Sequence, residues 1–245
     1  MKDKVFRSLI VVSLLFTTIS FSRSSDYAAG KVANGGVISG RVTFSGQLVA
    51  PKILVVTKDK NVCGRSTHKD ESLLVSENHG LKNVVVYLTD IKTGKAWSAP
   101  AAGYKLDQEG CQFSPHIMVV PAGQTFEILN PDGVLHNIHT YSERNAAINK
   151  AMPKFLKKLK LSFEQPEIIK VNCDVHNWMG GWIVVAASPY YVLTDEHGDF
   201  ELDGVPAGTY TLKFWHEKLG EQTQAVVVKP NETIKVTTAF QGRSN

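Results

Sequence analysis

The chain lacks a Cys-x-x-Cys-His, a Gly-x-Ser-x-Gly and a His-Glu-x-x-His. Those absences remove the usual sequence signatures of haem attachment, serine hydrolysis and zinc proteolysis. Its 4 methionines, Met1 included, do not cluster, which argues against a methionine-rich copper store. Net charge is also small. Of a net +4, residues 1–25 carry +3 through Lys2, Lys4, Arg7, Arg23 and Asp3, so the remainder is close to neutral. That balance gives no case for nucleic-acid binding. The one sustained apolar run, Leu9 to Phe21, is shorter than the ~20 residues that span a bilayer. With basic residues before it and Ser20, Ser22, Ser24 and Ser25 around its end, it reads as a secretory leader over residues 1–25. No cysteine follows it to carry a lipid, and no stable membrane insertion is expected after cleavage.

A 3.6-residue apolar period is also missing. Short β-branched runs punctuated by Gly, Pro and Asp dominate, which indicates an all-β protein. Strands are expected at 37–44, 52–57, 83–89, 117–120, 125–129, 168–173, 182–187, 191–194, 200–202, 209–215, 224–228 and 233–240. Residues 143–161 are the exception. Ala146, Ala147, Ile148, Ala151, Phe155, Leu156 and Leu159, interrupted by Pro153, suggest one or two short helices.

What the chain does have is Cys173-Asp174-Val175-His176-Asn177-Trp178-Met179. A thiolate, an imidazole and a thioether share one short loop. Together with a second histidine they make the donor set of an electron-transfer copper site. His136, in the run Asn130 to Asn137 (N-P-D-G-V-L-H-N), offers that second imidazole. Strand parity places Ile169, Val171 and Cys173 on one face, so the sulfur ends at the rim of an apolar core. His139 falls on the face opposite His136 if the segment is extended. His116 reads as a strand-edge residue, His197 and His216 as structural, and Met118 and Met152 as core or loop residues.

Three cysteines leave one over after any disulfide. Cys63 and Cys111 lie outside the motif and could pair in an oxidising compartment. Cys173 is then the odd thiol, either an inert buried residue or one that a metal holds as thiolate.

Residues Phe113 to Asn130 (F-S-P-H-I-M-V-V-P-A-G-Q-T-F-E-I-L-N), the pair His136-Asn137, and Phe163 to Cys173 (F-E-Q-P-E-I-I-K-V-N-C) together resemble a cupredoxin. The Cys-x-x-His-x-x-Met loop, followed by Gly-Gly-Trp-Ile-Val-Val, looks most like the short-loop amicyanin or pseudoazurin-like type. Glu167 stands where that pattern usually has Gly. The resemblance covers about 85 residues and implies a Greek-key β-sandwich. It also implies copper held by His136, Cys173, His176 and Met179, with Asn137 fixing the surrounding loops.

A different resemblance covers the ends of the chain. Thr194 to Leu212 (T-D-E-H-G-D-F-E-L-D-G-V-P-A-G-T-Y-T-L) is similar to transthyretin-like, carboxypeptidase-regulatory β-sandwiches. The strands that normally precede this pattern look like Gly40 to Gly46 (G-R-V-T-F-S-G) and Asn83 to Leu88 (N-V-V-V-Y-L). Either that sandwich is split, with the cupredoxin inserted, or two domains follow in series. A fragment of about 50 residues would bury little core alone, which favours the split. The expected organisation is therefore a leader over 1–25, an N-terminal β segment over 36–100, a cupredoxin-like domain over 101–188 and the second sandwich over 189–241.

The expected function is that of a periplasmic or secreted type-1 copper protein passing single electrons between redox partners, and not an enzyme. A copper carrier and a metal-free surface binding or scaffold module are the alternatives. Trp178, Trp182, Tyr190 and Tyr191 serve either as a docking patch around an exposed His176 edge or as packing against the second sandwich. Lys154, Lys157, Lys158 and Lys160 form a solvated basic loop or steer an acidic partner.

Overall fold

A computed structural model describes residues 27–242, and the expected leader lies outside them. The chain is all-β apart from one helical turn, α1 (Lys60–Cys63), and one 3-10 turn at Glu109–Cys111. In chain order the strands are β1 (Ala28–Ala29), β2 (Gly36–Ser45), β3 (Ile53–Leu54), β4 (His68–Lys69), β5 (Val85–Leu88) and β6 (Thr93–Gly94). They continue with β7 (Lys105–Asp107), β8 (Ile117–Pro121), β9 (Phe126–Leu129), β10 (His136–Tyr141), β11 (Asn149–Met152), β12 (Lys158–Leu161), β13 (Glu167–Asn172) and β14 (Gly180–Ala186). The last five are β15 (Tyr191–Leu193), β16 (Asp199–Val205), β17 (Gly208–His216), β18 (Gly220–Val228) and β19 (Thr233–Gln241). Among the described residues no helix is long and apolar enough to cross a membrane.

Two β-sandwiches account for nearly all of this. In the first, a five-stranded sheet ordered β11-β10-β13-β14-β8 faces a three-stranded sheet ordered β12-β9-β7. Their inner faces supply one core that includes Phe126, Ile128, Ile138, Met152, Ile169, Val171 and Ile183. In the second, the sheet β15-β5-β17-β18 faces β16-β2-β19 over Ile38, Val42, Val86, Phe200, Leu212, Phe214, Val236 and Phe240. Strands β2 and β5 precede the first sandwich in the chain yet pair with strands that follow it. β2 lies between β16 and β19, and β5 between β15 and β17.

Alternation of side chains sets the third layer. Along β14, Ile183 and Val185 point into the first core while Trp182 and Val184 point out. Along β5, Val86 and Leu88 point into the second core while Val85 and Tyr87 point out. The outward sets meet, joined by Ile117, Tyr191 and Trp215, and fasten the sandwiches together. Trp182 and Trp215 pack edge to face at 4.9 Å, and Tyr87 stacks on Tyr191 at 4.4 Å.

The helix expected within 143–161 is absent. Asn149–Met152 pairs with His136–His139, and Lys158–Leu161 pairs with Phe126–Leu129, each antiparallel. Pro153 lies between these strands and cannot continue a helix. Only Met152 and Leu161 of the two strands are buried, so cross-strand pairing outweighs the helical spacing of the apolar residues. The strand expected over 52–57 shrinks to β3, which pairs only with β4. Residues beyond it turn towards the end of the first sandwich, where Val56, Val62 and Cys63 join its core.

Candidate metal centre

His136 opens β10, and its neighbour on β13 runs into the loop that begins at Cys173. Asn172 pairs with His139 across these strands, so both segments leave the same end of the five-stranded sheet. A tight turn then returns the loop to β14: the Met179 N–H donates to the His176 carbonyl at 2.9 Å, and the Cys173 N–H donates to the Met179 carbonyl at 3.1 Å. Asn137 locks the two segments to each other. Its Oδ1 accepts the Asp174 N–H at 2.6 Å, and its Nδ2 donates to Asn149 Oδ1 at 2.8 Å and Asp174 Oδ2 at 3.0 Å.

These constraints bring three donors together. His136 Nδ1 lies 3.0 Å from His176 Nδ1, and Cys173 Sγ lies 4.0 Å from the first and 3.7 Å from the second. Both imidazoles are wholly buried and Cys173 is 2% exposed. The centre of that triangle lies about 2 Å from each atom, the usual metal–donor bond length for a first-row ion. Met179 is buried on the same turn.

The far nitrogen of each ring is also engaged. His136 Nε2 meets Asp132 Oδ2 at 2.9 Å, and His176 Nε2 meets Asp59 Oδ2 at 2.9 Å. With each Nε2–H donating to a carboxylate, both Nδ1 lone pairs face one another at 3.0 Å. Such lone pairs repel unless a cation, a proton or a metal ion, sits between them. The donor set therefore fits a soft-to-borderline metal ion. The electrostatics agree. Burial pushes the Cys173 thiol up, but His136 and the backbone groups of Asn137, His176 and Val175 outweigh it and favour thiolate. Burial pulls His136 down, yet Asp132 and Cys173 hold it above the usual imidazole range. Burial also lowers His176, and His136 adds to that against the opposing pull of Asp59.

Cys63 and Cys111 are joined in a disulfide, and both are buried. Far from lying outside the site, this bridge packs on it, with Cys63 Sγ 3.7 Å from His176 Nε2. It fits the chemistry of an oxidising compartment. His176 has no exposed edge: Asp59, Cys63 and Trp178 cover it, the last at 5.0 Å between ring centroids. Of the two readings of the aromatic residues, the docking patch around an open His176 is therefore the one not formed. Trp182 and Tyr191 instead line the joint between sandwiches, and Tyr190 is part of the second core.

Other candidates fall away from the centre. His139 is part-exposed and pairs with Asp174 at 2.9 Å. His116 reaches across the joint to Glu217, which also accepts the Trp182 indole N–H at 2.9 Å. Lys158 pairs with Glu127 at 2.8 Å, and Lys157 reaches the Pro131 carbonyl at 3.5 Å. Glu167, in the position where Gly is usual, accepts backbone N–H groups from Glu143, Arg144 and Asn145 and so fixes that loop. Sequence reasoning missed Asp59 and Asp132. Asp132 sits four residues before His136, a spacing that offered a signal. Asp59 offered none beyond its closeness to Cys63 in the chain.

Comparison with known proteins is local. Residues 167–236 match the family described as polysaccharide lyase family 4, domain II, a span that takes in β13 and β14 of the first sandwich and most of the second. No curated protein sequence matches the chain. Among solved structures, a Cu(I) form of an amicyanin variant is 21% identical with a TM-score of 0.32, covering 36% of this chain and 87% of that one. The purple cupredoxin of Nitrosopumilus maritimus is 24% identical with a TM-score of 0.26, covering 36% and 88%. A copper-containing nitrite reductase from Thermus scotoductus is 17% identical with a TM-score of 0.32, covering 40% of this chain and 25% of its own.

Proposed function

We propose that His136, Cys173 and His176 would hold a single copper ion in the first sandwich, with the Met179 thioether as a weaker fourth donor. In this reading the protein carries single electrons between partner proteins in the periplasm or outside the cell and is not itself an enzyme. The observation that carries the reading is the buried Cys-His-His triangle with both Nδ1 atoms turned inward. Bound there, copper supplies a one-electron Cu(II)/Cu(I) couple. The chain's part is to hold the donors still. His136 starts a strand, Cys173 ends one, and Asn137 ties the two, so the donors need little rearrangement when the charge changes. Burial excludes water from the site. It also supports electron transfer over metal delivery, since a donor set with almost no exposed atom does not readily hand an ion to an acceptor.

The second sandwich is read as an accessory module of transthyretin-like, carboxypeptidase-regulatory kind, split by insertion of the first. Its Asp195 turn supports this. Asp195 Oδ1 accepts the N–H groups of His197 and Asp199 at 2.8 and 2.9 Å. Gly198 has φ +80°, and a Cβ there would lie 2.2 Å from the Val42 carbonyl oxygen of β2. The turn thus needs both the C-terminal strands and the N-terminal one.

Copper loading of the protein purified without its leader tests the function. An intense visible thiolate-to-copper band and a narrow copper hyperfine splitting are expected, and Cys173→Ser should abolish both. Recovery of zinc and no copper from native material would sink the electron-transfer reading, because Zn²⁺ has no redox chemistry.

A further inference from the structure

The two carboxylates behind the histidines come from opposite sides of the centre. Asp132 belongs to the loop before β10. It is 7% exposed and is held by the N–H groups of Gly110 and Cys111, each at 2.8 Å from a carboxylate oxygen. Asp59 precedes α1 and is 34% exposed, and its carbonyl accepts the N–H groups of Val62 and Cys63 at 2.9 Å. The disulfide joins Cys63 to Cys111, so one covalent link connects the backbone beside Asp59 to the backbone that grips Asp132. Segment 53–69 has regular structure only in α1 and a two-residue strand pair. Its attachment to the first sandwich runs through the bridge and the few side chains around it.

A neutral imidazole carries one N–H. When Nε2–H donates to a carboxylate, the tautomer and ring orientation are fixed and Nδ1 is left as the donor atom. A carboxylate at that distance also places negative charge near the metal position in a poorly screened environment. Negative charge stabilises the more positive oxidation state of an ion more than the less positive one.

Resting on the copper reading above, we propose that Asp59 and Asp132 are positioning residues of the centre, clamped as a pair by the Cys63–Cys111 bridge. They select Nδ1 of both histidines as the binding atom and bias bound copper towards Cu(II). The segment before the first sandwich is then part of the metal site, though it lies more than 100 residues from the Cys-x-x-His loop it serves.

Asp59→Asn and Asp132→Asn remove the charge and keep the shape. In Zn(II)-loaded protein, which needs no copper chemistry, wild type should show two slowly exchanging imidazole Nε2–H resonances. Asp59→Asn should shift or lose the His176 signal and leave that of His136, and Asp132→Asn should do the reverse. In copper-loaded protein each variant should raise the midpoint potential, by about tenfold in the Cu(I)/Cu(II) affinity ratio, or about 59 mV for one electron. Asp59→Glu should return part of that shift. The proposal is overturned if both N–H signals persist unchanged in the Asn variants. Equal weakening of Cu(I) and Cu(II) binding at an unmoved potential would overturn it too, because that is what a merely structural residue would give. If wild type shows no thiolate-to-copper band, the electron-transfer reading fails. The zinc spectra then still decide whether the carboxylates position the rings.

Discussion

The two sandwiches are built alike and bury different things. In the second, the few buried polar side chains are partnered: the Tyr190 hydroxyl bonds Lys95 and Gly204, the Thr194 hydroxyl bonds Val84 and Leu81, and His216 accepts the Lys218 N–H. In the first, one end of the core holds His136, His176, Cys173 and Asn137. Among the described residues, the buried polar side-chain atoms without a partner are His68 Nδ1, Gln108 Oε1, Asn130 Oδ1 and Asn172 Oδ1. All four belong to the first sandwich or to the segment packed on its end. Each buried polar group left unpaired costs about 1–3 kcal/mol. These unpartnered atoms fall in the half that carries the candidate metal donors, and the other half supplies shape and an apolar surface to lean on.

The disulfide is the sharpest place to test that division. It closes a loop of 48 residues between Cys63 and Cys111. Chain entropy for such a loop corresponds to about 4 kcal/mol. Cys63→Ala/Cys111→Ala should lose that stability, and hydrogen exchange should place the loss in residues 53–69 and the end of the first sandwich. Amides of β2, β17 and β19 should keep their protection. Equal loss of protection in both sandwiches would mean that they unfold as one unit.

The reverse experiment lies in the second core. Phe214 is fully buried, with its ring edge to face against Phe200 at 5.9 Å. Phe214→Ala should cost about 3 kcal/mol through lost burial and the cavity left behind. Below its lowered melting temperature the variant should keep the visible copper band unchanged in position and intensity. A shifted band would show that the second sandwich shapes the metal centre and does more than support it.

How much of this was written locally in the sequence differs between the same two regions. Alternation in runs such as Phe126–Leu129 and Glu167–Asn172 marked their strands directly, because one face of each is buried. The spacing of Cys173, His176 and Met179 put chemistry on a single loop, and the structure places that loop against His136. The apolar residues of 146–159 misled because a spacing compatible with a helix also fits two strands whose partners, β9 and β10, lie elsewhere in the chain. The contacts that no local pattern encodes are the long ones: Asp59 to His176 across 117 positions and His116 to Glu217 across 101. A lone Asp in a lysine-rich stretch looks like any solvated residue until the chain has folded.

His216, at the end of β17, gives the smallest effect and the one most specific to the second sandwich and its joint with the first. Its ring is buried, 6.2 Å from that of Phe240, and its Nδ1 accepts the Lys218 N–H at 3.2 Å. Burial pushes its pKa down to about 4, opposed by Glu217 and reinforced by His116 and Lys218. The unfolded chain takes up this proton near pH 6.5 while the folded one refuses it until about pH 4, so the unfolded state binds more protons throughout that window. Stability must then fall as pH drops from 6.5 towards 4, by about 2 kcal/mol at pH 5. His116 works the other way. Burial lowers it, but Glu217, Glu71 and Asp70 hold it above the usual value, so its contribution is present in acid and lost as pH rises. The difference between wild type and His216→Gln reads the first term together with its coupling to His116 and Glu217, since any metal loss is common to both. Denaturant midpoints measured from pH 7 to pH 4.5 should fall less in the variant. Parallel curves would mean that His216 is protonated within the folded sandwich and that its burial does not govern the acid limb.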